Sequence, residues 1–300
     1  SPLVNLVDPQ TATVAPLGLV VNSQPSWSTG QWSVEDAENG LNIAAGQQGV
    51  LRFNGEVDNL RVVREMTFSA DTYLIREKIR VVNTTDQARS VRVSYTVAAD
   101  ASNAAGDRYD AMRLAWDNDG SLGEESSPKT LETTGSLVTG KIYWAGTMST
   151  YFLAAVLPGD INNVTVKGRM QQNVFRAAVE EPEVMLGPGQ ERELTVSYWL
   201  GPKERAKLAA VSDQLSKSID LGMFHVIAKG LLWLLEFFQK YVNNWGVAII
   251  LLTVLIKALF WPLTAKSYAS MEKMKKLQPH MTAIREKYKD DKELMNKEVM

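Results

Sequence analysis

The 300-residue sequence contains no cysteine. That one absence removes disulfide frameworks, thiolate metal sites and thiol nucleophiles together, and it leaves the redox compartment undetermined. Histidine is nearly absent too. Only His225 and His280 occur, neither with a serine, aspartate or second histidine at a spacing that would build a relay, so both read as packing or surface residues. The opening stretch, SPLVNLVDPQ, has no initiator methionine and neither the basic nor the apolar region of a signal peptide. The last ten residues, DKELMNKEVM, stop inside a helical pattern. The chain is therefore expected to be part of a longer protein.

Other chemistry is thin in the first two hundred residues. The stretch DNDGSLGEESSP sets Asp117 and Asp119 at calcium-loop spacing, but Leu122 stands where the loop needs glycine and Pro128 where it needs glutamate. Glu180, Glu181 and Glu183 could be imagined as paired acids, yet Pro182 and the following LGPGQ make a solvated turn the expectation. Asn83 in NTT and Asn163 in NVT match the glycosylation acceptor pattern, which is frequent by chance. No catalytic residue, cofactor, metal site or specific nucleic-acid site is expected.

What is present divides in two. Residues 1–222 carry 20 basic and 27 acidic side chains, whereas residues 264–300 carry 9 basic and 6 acidic ones. The front reads as strands. Tyr73, Ile75, Ile79 and Val81 share one parity, and Val91, Val93, Tyr95 and Val97 alternate with Arg92, Ser94 and Thr96, the period of half-buried strands. NTTDQA between them has hairpin composition. The runs YFLAAVLP, NVTVKGRM, VFRAAV and ELTVSYWL follow, separated by Gly, Pro and Asn clusters. Many short strands with turns between them predict an all-β sandwich of antiparallel sheets over residues 1–202.

From Gly201 and Pro202 onward helix formers take over, giving a helical linker over 203–222. Residues 223–243 form an amphipathic helix in which Phe224, Ile227, Leu231, Leu234, Leu235, Phe238 and Val242 repeat at helical spacing. Lys229, Glu236 and Lys240 interrupt it, which favours a helix lying in the membrane interface over one that crosses. Residues 245–263 are the span. Nineteen residues make a helix of about 28 Å, near the hydrocarbon thickness. Trp245 marks one end, and Phe260 and Trp261 the other. Pro262 is expected to bend or stop the helix.

Lys266, Lys273, Lys275 and Lys276 crowd the far side, so the positive-inside bias puts residues 264–300 in the cytoplasm and residues 1–243 outside it. The tail 264–300 is an amphipathic helix with Met271, Met274, Leu277, Met281, Ile284 and Tyr288 stepping by threes and fours, and with a further Met295. Pro279 is expected to kink it. Such a stripe suits a coiled-coil seam, a helical hairpin or a missing helix of the same chain.

Lys257 sits inside the apolar run. A lysine near mid-membrane costs about 3 kcal/mol on insertion scales. Two readings stand open: it snorkels toward the headgroups, about 8 Å away along the axis by helical rise, or it lines a polar cavity together with Thr253, one turn earlier on the same face.

The order of these parts, with NWGVAIILLTVLIKALFWPLTAKSYASMEKMKKLQP and IREKYKDDKELMNKEVM, resembles the YidC membrane protein insertase family of Gram-negative bacteria. The resemblance is closest from Asp220 to Met300. Over residues 1–202 it rests on strand content and on TYFLAAVLP and YWLGPK. It implies a periplasmic β-supersandwich, then the first helix of a membrane core and the first arm of a cytoplasmic helical hairpin. It also implies location in the inner membrane and a hydrophilic groove with a basic residue at Lys257 and Thr253 beside it. The implied partners are nascent membrane proteins and the lipid bilayer, with the Sec translocon, the ribosome and the signal recognition particle machinery as further ones. Relatives commonly carry arginine at the Lys257 position and proline at the Gly230 position. Two rivals remain: a single-span receptor with an outer β ligand-binding domain and a cytoplasmic coiled coil, and a membrane-anchored carbohydrate-active domain, which would need a cleft with paired carboxylates.

Overall fold

A computed structural model of the chain describes residues 17–35, 41–100, 112–219 and 225–287. The chain forms two compact units, divided between Ile219 and Asp220. In the first, every pairing between strands is antiparallel. A six-stranded sheet runs in the order Ser136–Gly140, Val164–Gln171, Val174–Glu180, Val93–Asp100, Leu17–Val21, Gln24–Pro25. A nine-stranded sheet runs Ser121–Glu125, Arg113–Asn118, Ile142–Met148, Phe152–Pro158, Glu191–Pro202, Leu74–Asn83, Leu60–Ser69, Gln48–Val57, Gln31–Glu35. The inner parities of both sheets meet in one apolar core. Leu19, Tyr95, Val97, Phe175 and Val179 come from the smaller sheet, and Leu60, Val62, Ile79, Val81, Val196 and Tyr198 from the larger. This is the sandwich that the alternating strands predict.

The exposed face of the larger sheet carries a cross-strand row of alternating charge. Glu35 lies opposite Arg52, Arg52 opposite Glu65, and Glu65 opposite Lys78, with Arg52 bonded to Glu65 at 2.7 Å. Opposite charges set directly across a sheet hold its register on a face that water covers.

Elsewhere that face is dry. The helices Arg205–Val211 and Asp213–Ser216 lay Leu208 and Leu215 over Trp144, Trp199, Leu74 and Leu153, forming a second apolar cluster. Trp144 donates its indole N–H to the Gln214 carbonyl at 3.0 Å. Residues read from sequence as linker therefore belong, as far as Ile219, to the β unit. Apolar Leu208 and Leu215 need cover, and Trp144 and Trp199 on the outer face of the sheet need it equally.

Two loops differ from their sequence reading. NTTDQA does not close a hairpin: Leu74–Asn83 pairs with strands of the larger sheet, and Arg89–Val91 pairs with Val184–Leu186. Asn83 causes the departure. Fully buried, it donates to the carbonyls of Gln87, Leu186 and Gly187 and accepts from Thr85. Its amide thus organises the crossover between sheets and is closed to glycosylation in the folded chain. Glu181 is likewise buried, at 3% exposure, not on a solvated turn. It accepts from the Tyr95 hydroxyl at 3.4 Å and lies 3.7 Å from Arg192.

The calcium-loop spacing resolves into a two-residue hairpin. Asn118 lies opposite Ser121, and Asp119 and Gly120 both have positive φ, the turn that Asp-Gly favours. Asp117 accepts the Gly120 N–H at 2.7 Å, while its other oxygen is buried and, among the described residues, without a partner. Burial raises the Asp117 pKa, against the pull of the Gly120 hydrogen bond and of Lys217. The folded chain therefore holds this proton to higher pH than the unfolded one. Its contribution to stability falls as pH rises from the ordinary carboxylate value through the raised one. Asp117→Asn keeps the turn acceptor without the charge. It is expected to stabilise the β unit at pH 7 by up to about 1 kcal/mol and to flatten that part of the pH profile, read by urea midpoints between pH 4 and 8.

Candidate functional site

The second unit is a pair of helices, His225–Val242 and Trp245–Lys287, packed against each other. Adjacent asparagines make the corner. Asn243 takes a left-handed conformation, φ 52°, and donates its N–H to the Gln239 carbonyl at 2.7 Å, ending the first helix. Asn244 starts the second by accepting the N–H groups of Gly246 and Val247 at 2.9 and 3.3 Å. Asparagine suits both places, because it tolerates positive φ and its short amide reaches the free N–H groups of a first turn.

The first helix exposes an aromatic ladder. Trp233 stacks on Phe237 at 5.8 Å between centroids, and Phe237 meets Tyr241 at 4.9 Å. Trp233 and Tyr241 are 65% and 75% exposed, a large apolar area to leave in water. Gly230 leaves open space one turn before Trp233.

The second helix has mean hydropathy 2.2 over its most apolar stretch and is long and apolar enough to cross a membrane, the one such helix among the described residues. It runs without interruption through Pro262 and Pro279. Each proline removes one N–H donor from a helix whose other bonds remain, so neither ends it, contrary to the stop allowed at Pro262. The fully buried Ala248 and half-buried Leu252 and Ile256 repeat every four residues on one face.

Thr253 and Lys257 point elsewhere. Both are exposed, one turn apart, on a face about 100° around the helix from Leu252 and Ile256. The Thr253 hydroxyl donates to the Ile249 carbonyl at 2.7 Å. Its proton is thus occupied, and what it offers outward is a methyl group and an acceptor lone pair. Among the described residues no carboxylate lies within ion-pairing distance of Lys257.

Two further residues fall on this face that spacing within the span did not single out. Thr264 and Tyr268 lie with Thr253 and Lys257 in a sector of about 60°. Thr264 donates to the Phe260 carbonyl at 2.9 Å, and Tyr268 is 67% exposed. Counting 100° per residue onward from Lys257 would have found both. The side chains of His225, His280, Met281, Ile284, Tyr288 and Met295 lie outside the described residues.

A carbohydrate-active site would need accessible acids. Among the described residues, Glu77 and Glu181 are the carboxylates buried between the sheets, and both are committed. Glu77 pairs with Arg64 and accepts the Tyr198 hydroxyl at 2.8 Å, and Glu181 faces Tyr95 and Arg192. Burial raises the pKa of Tyr198 and Tyr95 well above the ordinary value, with the carboxylates adding to it. These clusters hold the core together.

A two-sheet β domain, an amphipathic helix with an aromatic face and a spanning helix with a lysine inside it define a membrane protein with a large folded domain outside the bilayer. Residues 1–234 match the YidC periplasmic domain and residues 237–300 the 60Kd inner membrane protein; the chain belongs to the YidC family of inner-membrane proteins. It is 51% identical over 300 residues to a membrane protein insertase YidC from Nitratidesulfovibrio vulgaris (strain DSM 19637 / Miyazaki F), covering 100% of this chain and 55% of the relative. It is 45% identical to that of Maridesulfovibrio salexigens, covering 100% and 55%. The chain spans about half the length of these curated relatives. Among solved structures, a GH36 α-galactosidase from Geobacillus stearothermophilus is 10% identical over 70% of this chain and 33% of its own, with a TM-score of 0.44, a likeness too loose to bear on function.

Proposed function

We propose that the protein is a membrane protein insertase, in which the face of the spanning helix carrying Thr253 and Lys257 forms one wall of a hydrophilic groove. The single observation that carries this reading is a lysine in the span with, among the described residues, no carboxylate beside it, in a chain whose relatives bear the insertase name. A polar wall hydrates the hydrocarbon region locally and receives the polar or acidic flank of an entering segment, which lowers the desolvation barrier to insertion. Lys257 attracts that flank, and Thr253 accepts hydrogen bonds from it. No covalent step is required, so the protein acts as a chaperone and not as an enzyme.

The remaining parts take their places around that wall. Lys266, Lys273, Lys275 and Lys276 follow the span, and the positive-inside bias supports a cytoplasmic position for residues 264–300 and a periplasmic one for the β domain, residues 1–202 with the packed helices after it. Residues 223–243 lie in the outer interface with the Trp233, Phe237 and Tyr241 ladder in the acyl boundary. Residues 245–263 cross, and residues 264–300 begin a hairpin that meets nascent membrane proteins and, with them, the ribosome, the signal recognition particle machinery or the Sec translocon. The single-span receptor finds no support among the relatives.

A photo-crosslinking residue placed at Thr253 of the full-length protein is expected to capture an inserting single-span protein. The same residue at Leu255, about 200° around the helix, is expected to capture lipid. Equal capture of the nascent chain from both positions would overturn the groove.

A further inference from the structure

On the outer face of the six-stranded sheet Arg169 lies directly opposite Arg176 on neighbouring antiparallel strands. Like charges set across a ladder weaken it, and every other charged row described above alternates in sign. Both guanidinium groups line a pocket of about 530 Å³ together with Lys167, Gln171 and Gln172. The surrounding domain is acidic, with 27 acidic against 20 basic side chains over residues 1–222.

The pocket is also built. Arg176 sits with its guanidinium 5.0 Å from the centre of the Trp27 ring and donates to the Thr96 hydroxyl at 3.3 Å. Trp27 is seated in turn on Gly18, where a Cβ would stand 2.3 Å from the indole. Only glycine lets the ring lie there. Thr96 is fixed by donating to the Gly18 carbonyl at 3.2 Å. Lys167 is engaged by Glu180 at 2.6 Å, while Arg169 is exposed and, among the described residues, in no ion pair. One guanidinium is held in place and the other is free to close on a ligand. Burial lowers the Arg176 pKa.

We propose that this pocket binds a phosphate-type oxyanion between Arg169 and Arg176, with Gln171 and Gln172 donating to its ester side. A carboxylate presents its two oxygens in one plane, the match for a single bidentate guanidinium, whereas a tetrahedral phosphate presents oxygens out of one plane to two guanidinium groups arriving from different strands. The same chemistry is offered by a soluble phosphate monoester and by the headgroup of a phosphomonoester lipid. The site is independent of the membrane groove and of the insertase reading.

The test is calorimetric titration of the full-length protein, in nanodiscs of phosphatidylcholine, with glycerol phosphate and with short-chain phosphatidic acid. Saturable binding is expected, weakened about tenfold or more by Arg169→Gln and by Arg176→Gln and falling with added salt. Tighter binding of phosphatidic acid assigns the site to a lipid headgroup, and equal binding assigns it to a soluble ester. Arg169→Gln should also leave the unliganded melting temperature unchanged or raised, because it removes the opposed charges, which separates lost binding from lost folding. Absence of saturable binding of either ligand, or equal binding by the Arg169→Gln variant, would overturn the proposal.

Discussion

Glu77→Ala is expected to destabilise the β unit by about 3–5 kcal/mol, the cost of stranding one partner of a buried ion pair. Glu77 has a fully buried side chain and Arg64 one 12% exposed. The glutamate holds two groups in place, since the Arg64 guanidinium pairs with it through two nitrogens and the Tyr198 hydroxyl donates to it at 2.8 Å. Without it, among the described residues the guanidinium keeps only the Leu17 carbonyl at 3.2 Å, and the hydroxyl loses its bond to Glu77. Burial opposes the charge of Arg64, yet Glu77 more than offsets this and leaves the Arg64 pKa raised. The attraction is therefore contingent on both partners. Replacing both, Arg64→Met with Glu77→Leu, is expected to recover most of the loss, because desolvation falls away along with the attraction. Urea midpoints of the two variants decide the matter. A double variant as unstable as Glu77→Ala would mean that the loss comes from packing around Tyr198 and not from the stranded charge.

The same strand shows how far the sequence could be read. Ile79 and Val81 fall on the parity that the alternation assigns to the core, and both are buried. Glu77 occupies the same parity, two residues before Ile79. Period-two reading passes over it, since a charge on the apolar face carries no signal of its own until Arg64, 13 residues earlier, is known to lie on the matching face of the neighbouring strand. Asn83 and Glu181 were misread for a related reason. Turn composition records that a chain changes direction, but a crossover between two sheets buries its corner and a hairpin does not. The helices at Arg205–Val211 and Asp213–Ser216 were legible as helices. Their attachment to the β unit was not, because it depends on Trp144 and Trp199 coming together on the outer face, where Leu208 and Leu215 cover them. In the second unit no distant partner is needed: the span follows from nineteen consecutive residues, 245–263, while the corner at Asn243 and Asn244, which a reading of apolar spacing passes over, follows from those two neighbours alone.

Lys257→Glu is expected to reduce insertion of a single-span protein with an acidic tail by tenfold or more, Lys257→Ala to reduce it by less, and Lys257→Arg to leave it nearly unchanged. The reason is the depth of the charge. Opposite unit charges 4 Å apart attract by about 4 kcal/mol at an effective dielectric of 20, and about 1.4 kcal/mol off a barrier is a tenfold change in rate. Even a third of that attraction in the rate-limiting step is therefore easily measured. Glutamate reverses its sign against the same tail. A lysine that only snorkels would behave differently: its role would be anchoring, and moving it one turn toward Pro262, Lys257→Ala with Trp261→Lys, would preserve insertion. In a groove that double variant stays impaired. The measurement is insertion by full-length variants at matched membrane levels, run in parallel with a substrate whose tail acids are changed to amides. That substrate should be indifferent to Lys257→Ala, because no charge remains for the ammonium group to attract. If the alanine and glutamate variants insert the acidic substrate as well as the lysine protein does, Lys257 holds the helix at its depth and the groove has no electrostatic role.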